Sequence, residues 1–200
     1  MRNSTTHPLY VSWLPLEGDQ GRLGLTLCPG KYQPVSSTGS WDRQLDLDLQ
    51  ALVDMGVNRL ISLITEEDMV MLRVENLGEE AQRFGLAWDH LPLPDTTAPT
   101  DEWMERGIPL LEHLLVSIPE GEVVVVHCMG GLSRAGTFAS MYLWLRGSDM
   151  SRAIQRVREE RSSHAINWRQ SMFLLELASS EHRNNLESDL EHDDTKTELY

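Results

Sequence analysis

Cysteine, lysine and long apolar stretches are scarce in this chain of 200 residues, and each scarcity excludes a class of protein. Two cysteines, Cys28 and Cys128, are too few for a disulfide framework and indicate a reducing compartment. No run of about 18 apolar residues occurs, and the first residues lack the basic start and apolar stretch of a signal peptide. The sequence therefore predicts a soluble, cytoplasmic protein.

Positive charge is also scarce, since 17 Lys and Arg face 31 Asp and Glu, and only Lys31 and Lys196 are lysines. The net charge of −14 argues against nucleic-acid and membrane partners. Acidic residues are concentrated near the C-terminus, where apolar periodicity stops at about Asn184. We therefore predict an N-terminal arm over residues 1–20, one domain over 21–182 and a disordered acidic tail over 183–200.

Strand and helix patterns alternate through the middle of the chain. Apolar runs predict strands at residues 23–27, 59–64, 86–93 and 123–126. Helical spacing predicts a helix at 41–55 with Ser40 as the N-cap, and one or two amphipathic turns and a helix within 66–84. A further helix is predicted from Thr100 onward, kinked or divided at Pro109. The last three predicted helices are at 134–146, 150–161 and 168–179. This order predicts a single α/β domain with a central, mostly parallel sheet flanked by helices.

The segment after the valine strand has the composition of an anion-binding loop. Successive backbone N–H groups before a helix can surround a phosphate, and the helix N-terminus adds positive charge. Arg134 offers a two-pronged donor to phosphate oxygens, and the same field favours the nucleophilic thiolate form of Cys128. The candidate phosphate-binding residues are Met129, Gly130, Gly131, Leu132, Ser133 and Arg134.

Phosphoryl transfer through a cysteine also needs a proton donor for the leaving oxygen. Asp95 is the best candidate, because it follows the preceding strand and the ends of parallel strands share one edge of a sheet. Asp89 falls within that strand, and Asp101 falls in the first turn of the next helix, so both are weaker candidates. A simple turn role for Asp95 stays open.

The signature His-Cys-x-x-Gly-x-x-Arg, here His127, Cys128, Gly131 and Arg134, resembles that of the cysteine-dependent protein tyrosine and dual-specificity phosphatases. Within them the chain looks most like the kinase-associated phosphatase group. This likeness covers about residues 20 to 180 and rests on segments 23–30, 73–85, 90–95, 127–134 and 165–177.

The resemblance implies a protein tyrosine phosphatase-like fold and hydrolysis of phosphate monoesters on a phosphorylated protein or peptide. It also implies Cys128 as nucleophile, Arg134 as phosphate ligand, Asp95 as general acid, and neither a metal nor an organic cofactor. His127 is expected to orient the loop rather than to act as a base. The sequence leaves the oligomeric state open.

Two departures from the family pattern keep alternatives open. Ala135 replaces the Ser or Thr that usually follows the arginine, and the residue that places the hydrolytic water is Ile166, Asn167 or Gln170, depending on register. A catalytically weak or inactive phosphoprotein-binding module of the same fold is therefore the alternative. A sulfurtransferase or an arsenate reductase is a more distant one.

Three further residues are interpreted as structural rather than functional. Cys28 is expected to pack as a small buried residue, with a disulfide to Cys128 as the alternative. Lys31 and Arg43 are expected to be exposed loop and helix charges, with contact to acidic groups of a substrate as the alternative.

Overall fold

A five-stranded sheet organises the part of the chain that the computed structural model describes, residues 1–36 and 39–180. The strand order is β1-β2-β7-β5-β6, and β3 and β4 form a separate two-stranded sheet. The strands are β1 Ser12–Trp13, β2 Arg22–Leu27, β3 Tyr32–Gln33, β4 Trp41–Asp42, β5 Arg59–Ser62, β6 Ala87–His90 and β7 Val123–Cys128. The predicted acidic tail over 183–200 lies outside the described residues.

Seven helices accompany these strands in the described ranges. They are α1 Leu45–Asp54, α2 Glu66–Leu72, α3 Leu77–Arg83, α4 Asp101–Ser117, α5 Ser133–Leu145, α6 Met150–Glu160 and α7 Trp168–Ser179. Strands β2, β7, β5 and β6 are mutually parallel, and only β1 joins the sheet antiparallel. The predicted α/β fold with a mostly parallel sheet is confirmed.

Parallel pairing brings the carboxyl ends of several strands together. Leu27 pairs with Cys128 at the end of β2, and Ser62 of β5 pairs with both His127 and His90. The loops that follow β2, β5, β6 and β7 therefore leave the sheet at one edge, which is where open α/β sheets bind ligands.

Helix α5 lies at the centre of the helical layer and fixes the end of the loop after β7. It packs against β7 and β2 and against helices α4, α6 and α7. Every residue from Arg134 to Trp144 is consequently buried, which explains why this helix has almost no polar face. Its first turn is thus held rigidly at the sheet edge.

Two boundaries differ from the sequence prediction. Helix α1 begins at Leu45, because Trp41 pairs with Gln33 in the two-stranded sheet instead of starting the helix after Ser40. Helix α4 runs through Pro109 as one element. The carbonyl that loses its partner belongs to Glu105, and since Glu105 and Pro109 are both exposed, water can satisfy it.

The first residues pack onto the domain rather than extending from it. Leu9, Val11 and Leu14 are buried in the core, and β1 pairs with β2. Among the described residues, no helix is long and apolar enough to cross a membrane.

Candidate active site

The segment that follows β7 forms a loop at the shared sheet edge. Residues Val124 to Val126 are completely buried, His127 is buried with them, and Cys128 closes the strand at 2% exposure. Leu132 precedes the first turn of α5, which begins at Ser133. A central strand and a central helix thus anchor the two ends of the loop.

Cations outside the loop hold its carbonyl groups. Arg161 donates from Nε to the Gly131 oxygen at 2.8 Å and from Nη2 to the Gly130 oxygen at 3.1 Å. Lys31 donates from Nζ to the Met129 oxygen at 3.1 Å. In a planar trans peptide the C=O and the next N–H point in opposite directions. The N–H groups of residues 130 to 132 therefore face away from these cations, which is the orientation that an anion-binding loop requires.

Only one of the two loop glycines is required by geometry. Gly131 has a φ of +66°, and a Cβ there would lie 2.2 Å from the backbone oxygen of Thr26. A Cβ on Gly130 would meet only the Leu132 side chain, at 3.8 Å. Gly131 therefore lets the loop pass close to β2, whereas Gly130 has no comparable constraint.

Arg134 is fully buried, and its guanidinium group lies at the junction of three loops. Its Nη1 donates to Asp68 Oδ2 at 2.5 Å and to the backbone oxygens of Leu93 and Leu63 at 3.0 and 3.4 Å. Its Nε lies 3.2 Å from Asp95 Oδ1. Nε and Nη2 have no hydrogen-bond partner within the described residues, so two donors remain for a ligand.

Charges around this arginine favour its cationic form. Burial lowers the pKa of Arg134, but the neighbouring Cys128, Asp68 and Asp95 raise the pKa by more, so the net shift is upward. The guanidinium therefore stays charged although it is buried.

Asp68 is a site residue that sequence reasoning missed. It closes the capping box at the start of α2, where its side chain accepts from the Thr65 N–H, and it also accepts from Arg134. The acidic first turn of α2 is visible in the sequence, but it indicates only a helix N-terminus. Its contact with Arg134 depends on the pairing of β5 with β7, which no local pattern reveals.

Asp95 and Cys128 line the same small cavity. Its volume is about 160 Å³, well above the roughly 10–15 Å³ that one water molecule needs, so the cavity has room for a small anion. Its other lining residues come from this loop and from the chain after β2: Lys31, Gln33, Ser36, Met129, Gly130, Leu132 and Ser133. The side chain of Asp95 is 49% exposed, so a substrate can reach it.

The other two aspartate candidates lie elsewhere. Asp89 forms an ion pair with Arg59 at 2.6 Å, and Asp101 is exposed at the start of α4. Neither lines the cavity that contains Cys128.

The start of α7 secures the turn that carries Asp95. Asn167 donates from Nδ2 to the Thr96 oxygen at 3.2 Å, and Gln170 donates from Nε2 to the Thr97 oxygen at 2.9 Å. The Asn167 side chain also accepts from the Gln170 backbone N–H, and the Gln170 side chain accepts from the Asn167 backbone N–H, which caps the helix. Ile166 is apolar and buried. Asn167 and Gln170 therefore hold the turn that carries Asp95, whereas Ile166 has no polar side-chain atom that could bind water.

His127 is a buried neutral residue. Burial, together with a smaller contribution from the charge of Arg134, lowers the pKa of His127 to about 3. Its Nδ1 faces the Cys128 carbonyl, which can only accept, so Nδ1 carries the proton and Nε2 accepts from the Ser62 hydroxyl at 2.7 Å. The ring thus links β5 to β7 behind the loop.

The residues near Arg134 in the chain differ in whether they offer a hydroxyl group to the cavity. Ala135 is buried, Thr137 donates its hydroxyl to the Ser133 oxygen at 2.8 Å, and Ser133 lines the cavity. Of these three residues, only Ser133 contributes to the wall of the cavity.

The expectation that Lys31 and Arg43 are exposed is wrong, since both are buried, at 1% and 6%. Arg43 forms a two-pronged pair with Asp48 at 2.7 Å, and the Asp48 carboxylate also accepts from the Gly30 N–H. This network fixes the loop after β2, which places Lys31 against the loop after β7. Spacing alone did not show these long-range partners.

Cys28 is completely buried and has a free thiol that donates to the Pro29 oxygen. Burial raises its pKa, so this thiol stays protonated. Among the described residues, no three His, Cys, Asp or Glu side chains are grouped so that they could hold a metal ion.

A family described as "PTP-SAK: Swiss Army Knife protein, DSP-PTPase phosphatase domain" matches residues 36–185 of the chain. Cyclin-dependent kinase inhibitor 3 of Mus musculus is 30% identical over 163 residues, which is 80% of this chain and 73% of that protein. The protein of the same name from Rattus norvegicus is 29% identical over 164 residues, again 80% and 73% of the two chains.

Solved structures share the fold. Kinase-associated phosphatase, with its catalytic-site cysteine substituted by serine, superposes with a TM-score of 0.74 at 26% identity over 90% of this chain and 96% of that one. Tk-PTP superposes with a TM-score of 0.60 at 24% identity over 84% and 95% of the two chains.

Proposed function

Since the chain belongs to the dual-specificity and tyrosine phosphatase family, we propose that it is a protein phosphatase with a phosphocysteine intermediate. Its substrates carry phosphotyrosine, phosphoserine or phosphothreonine on a protein or peptide. The observation that carries this proposal is the buried guanidinium of Arg134, which follows the loop of Cys128, lies beside Asp95 and makes no hydrogen bond from Nε or Nη2 within the described residues. The proposed mechanism uses neither a metal nor an organic cofactor.

In the first step, the Cys128 thiolate attacks phosphorus and the bond from phosphorus to the substrate oxygen breaks. Arg134 and the N–H groups of residues 129 to 134 hold the other phosphate oxygens, whose charge spreads in the transition state. Asp95, in its protonated form, gives its proton to the leaving oxygen. The products of this step are the dephosphorylated substrate and phosphocysteine.

In the second step, water attacks phosphocysteine. Asp95, now a carboxylate, takes a proton from the water, the bond from sulfur to phosphorus breaks, and inorganic phosphate leaves with the thiolate restored. Asp95 serves this step because Asn167 and Gln170 are engaged in holding its turn. His127 stays neutral and supports the loop from behind.

Hydrolysis of an aryl phosphate by wild type, Cys128→Ser and Cys28→Ser tests the proposal. We expect Cys128→Ser to lose turnover and Cys28→Ser to keep it, since Cys28 does not line the cavity. Turnover that survives Cys128→Ser contradicts the mechanism.

A second candidate is a phosphoprotein-binding module with weak or absent turnover. Ala135 favours it, because the hydroxyl that usually follows the arginine is missing. This candidate predicts tight phosphopeptide binding by wild type with no release of phosphate, which the same assay detects.

A further inference from the structure

Lys31 is a buried lysine in the wall of the cavity that contains Cys128. It is 1% exposed, and its ammonium group donates to Gln33 Oε1 and to the Met129 carbonyl, each at 3.1 Å. Both acceptors are neutral, and among the described residues the ammonium group forms no ion pair with a carboxylate. A buried charge is costly unless an opposite charge lies near it, so the fold has to supply one.

The charges around Lys31 leave the thiolate of Cys128 as its counter-charge. Burial is the main reason why the pKa of Lys31 is lowered to about 8. Negative charge on Cys28 or Cys128 opposes this shift, and the charges of the two arginines nearby, Arg43 and Arg161, add to it. Burial keeps the Cys28 thiol protonated, so Cys128 is the one of the two cysteines that can supply the negative charge.

The position of the ammonium group is fixed by the loop after β2. The N–H of Gly30, the preceding residue, donates to Asp48, and Arg43 holds the same carboxylate at 2.7 Å. The Trp41 ring lies on another side of the ammonium group, with its centre 5.2 Å from Nζ. A charge held in place away from water is screened less than an exposed one, so it acts on neighbouring groups more strongly.

We propose that Lys31 stabilises the thiolate form of Cys128 through its positive charge. It acts on the nucleophile rather than on the substrate, so it is a positioning residue. The other carboxylate of the cavity, Asp95, is already beside a cation, since it lies 3.2 Å from Nε of Arg134. The proposal rests on the proposed phosphatase function, in which this thiolate attacks phosphorus, and it assigns a second cation to the nucleophile.

Alkylation by iodoacetamide measures the thiolate of Cys128 without any turnover. The reagent is neutral, so the charge of Lys31 does not act on it, and mass spectrometry of the peptide that contains Cys128 gives the rate at each pH. In Lys31→Met we expect the pH of half-maximal rate to rise by about one unit, and the rate at pH 6 to fall about fivefold. Lys31→Arg keeps the charge and should stay near wild type. An unchanged midpoint in Lys31→Met overturns the proposal.

Arg83→Met is the matched control, because Arg83 is an exposed cation on α3 outside the cavity. It removes the same charge and should leave the midpoint of alkylation unchanged, and a shift as large as that of Lys31→Met overturns the proposal. Lys31→Met itself should unfold near or above the wild-type temperature, since an apolar side chain replaces a buried charge. A lower unfolding temperature with an unchanged midpoint would show that Lys31 is only structural.

The converse measurement needs no change at Lys31. Lysine labelled with ¹³C at Cε gives two signals, because the chain has only Lys31 and Lys196, and the Lys31 signal should titrate near pH 8. In Cys128→Ser, which carries no charge at this position, we expect its midpoint to fall by about one unit. Cys28→Ser should keep the wild-type midpoint, since that thiol is already neutral. Equal midpoints in wild type and Cys128→Ser overturn the proposal.

These measurements separate the role of Lys31 from the proposed function. A shifted midpoint of alkylation in Lys31→Met supports the role of Lys31 even where wild type fails to hydrolyse an aryl phosphate, which overturns only the proposed enzyme function. Normal hydrolysis together with equal midpoints overturns only the role of Lys31.

Discussion

Arg134 is placed by one carboxylate and faces a second. Asp68 is buried and holds Nη1, whereas Asp95 is half-exposed and lies beside Nε in the cavity. The two carboxylates therefore have different roles in the proposed mechanism: Asp68 positions the guanidinium, and Asp95 exchanges protons with the substrate and with water.

Asp68→Asn tests the positioning role. An amide keeps the shape but loses a charged hydrogen bond worth about 1.5–3 kcal/mol, so we expect kcat/KM to fall about 10- to 150-fold. The loss should appear mainly in kcat/KM for all substrates alike, since Asp68 does not touch the leaving group. Glu67→Gln, on the exposed neighbour, is the control, and a normal kcat/KM in Asp68→Asn would show that the contact is not needed.

Asp95→Asn should have an effect that depends on the leaving group. An alkoxide needs the proton more than an activated phenoxide does, so we expect kcat to fall about 100- to 10,000-fold for phosphoserine peptides and less for an aryl phosphate. Steady-state kinetics on both substrates measure the difference. Equal losses of kcat on both substrates would show that Asp95 is not the proton donor. Asp89→Asn is the matched control.

The loop between β7 and α5 depends on the conformation of one glycine. Gly131→Ala would put a Cβ against the Thr26 backbone in a positive-φ conformation, so we expect a loss of several kcal/mol of stability or a displaced loop. Gly130→Ala meets only the flexible Leu132 side chain and should unfold near the wild-type temperature. Thermal unfolding compares the two, and equal stability would contradict the close approach of the loop to β2.

Most strands and helices were predictable from the sequence, because their signals come from residues that are neighbours in the chain. The valine run, the helix start at Thr100 and the alternation of strands and helices depend on neighbouring residues, and the fold class follows from them. Trp41 was misassigned because its strand partner, Gln33, is supplied by a separate segment.

The site was predictable only in part, for the same reason. Cys128, Arg134 and the loop share one continuous segment, and the strand order explains why Asp95 meets them. Asp68, Arg161 and buried Lys31 approach the loop from distant parts of the chain, and their roles depend on tertiary contacts.

At the scale of the whole molecule, acid should destabilise the fold through His127. Its pKa of about 3 in the folded protein lies below the ordinary 6.5, so the unfolded chain binds the extra proton between these values. The stability that His127 contributes is present above pH 6.5 and is lost as the pH falls toward 3, by up to about 5 kcal/mol.

Urea unfolding at several pH values, for wild type and His127→Gln, measures this contribution. We expect the advantage of wild type over the variant to shrink as the pH falls from 7 to about 3. A difference that does not change with pH would show that His127 is not held neutral in the folded protein.

The net charge of the chain does not describe the surroundings of the loop between β7 and α5. The chain carries −14, yet the edge of the sheet gathers Arg134, Arg161 and Lys31 around one loop. Placement of a few cations against this loop, rather than overall composition, therefore decides which ligand the site attracts.

The central claim is that phosphate passes through Cys128, and rapid-quench mass spectrometry of wild type with an aryl phosphate tests it most directly. Because Ala135 lacks the hydroxyl that usually follows the arginine, we expect the second step to be slow and the intermediate to accumulate. We expect a burst of about one phenol per protein and one phosphoryl group on the peptide that contains Cys128. Steady turnover with no phosphoryl group on Cys128, or turnover by Cys128→Ser, would contradict the claim.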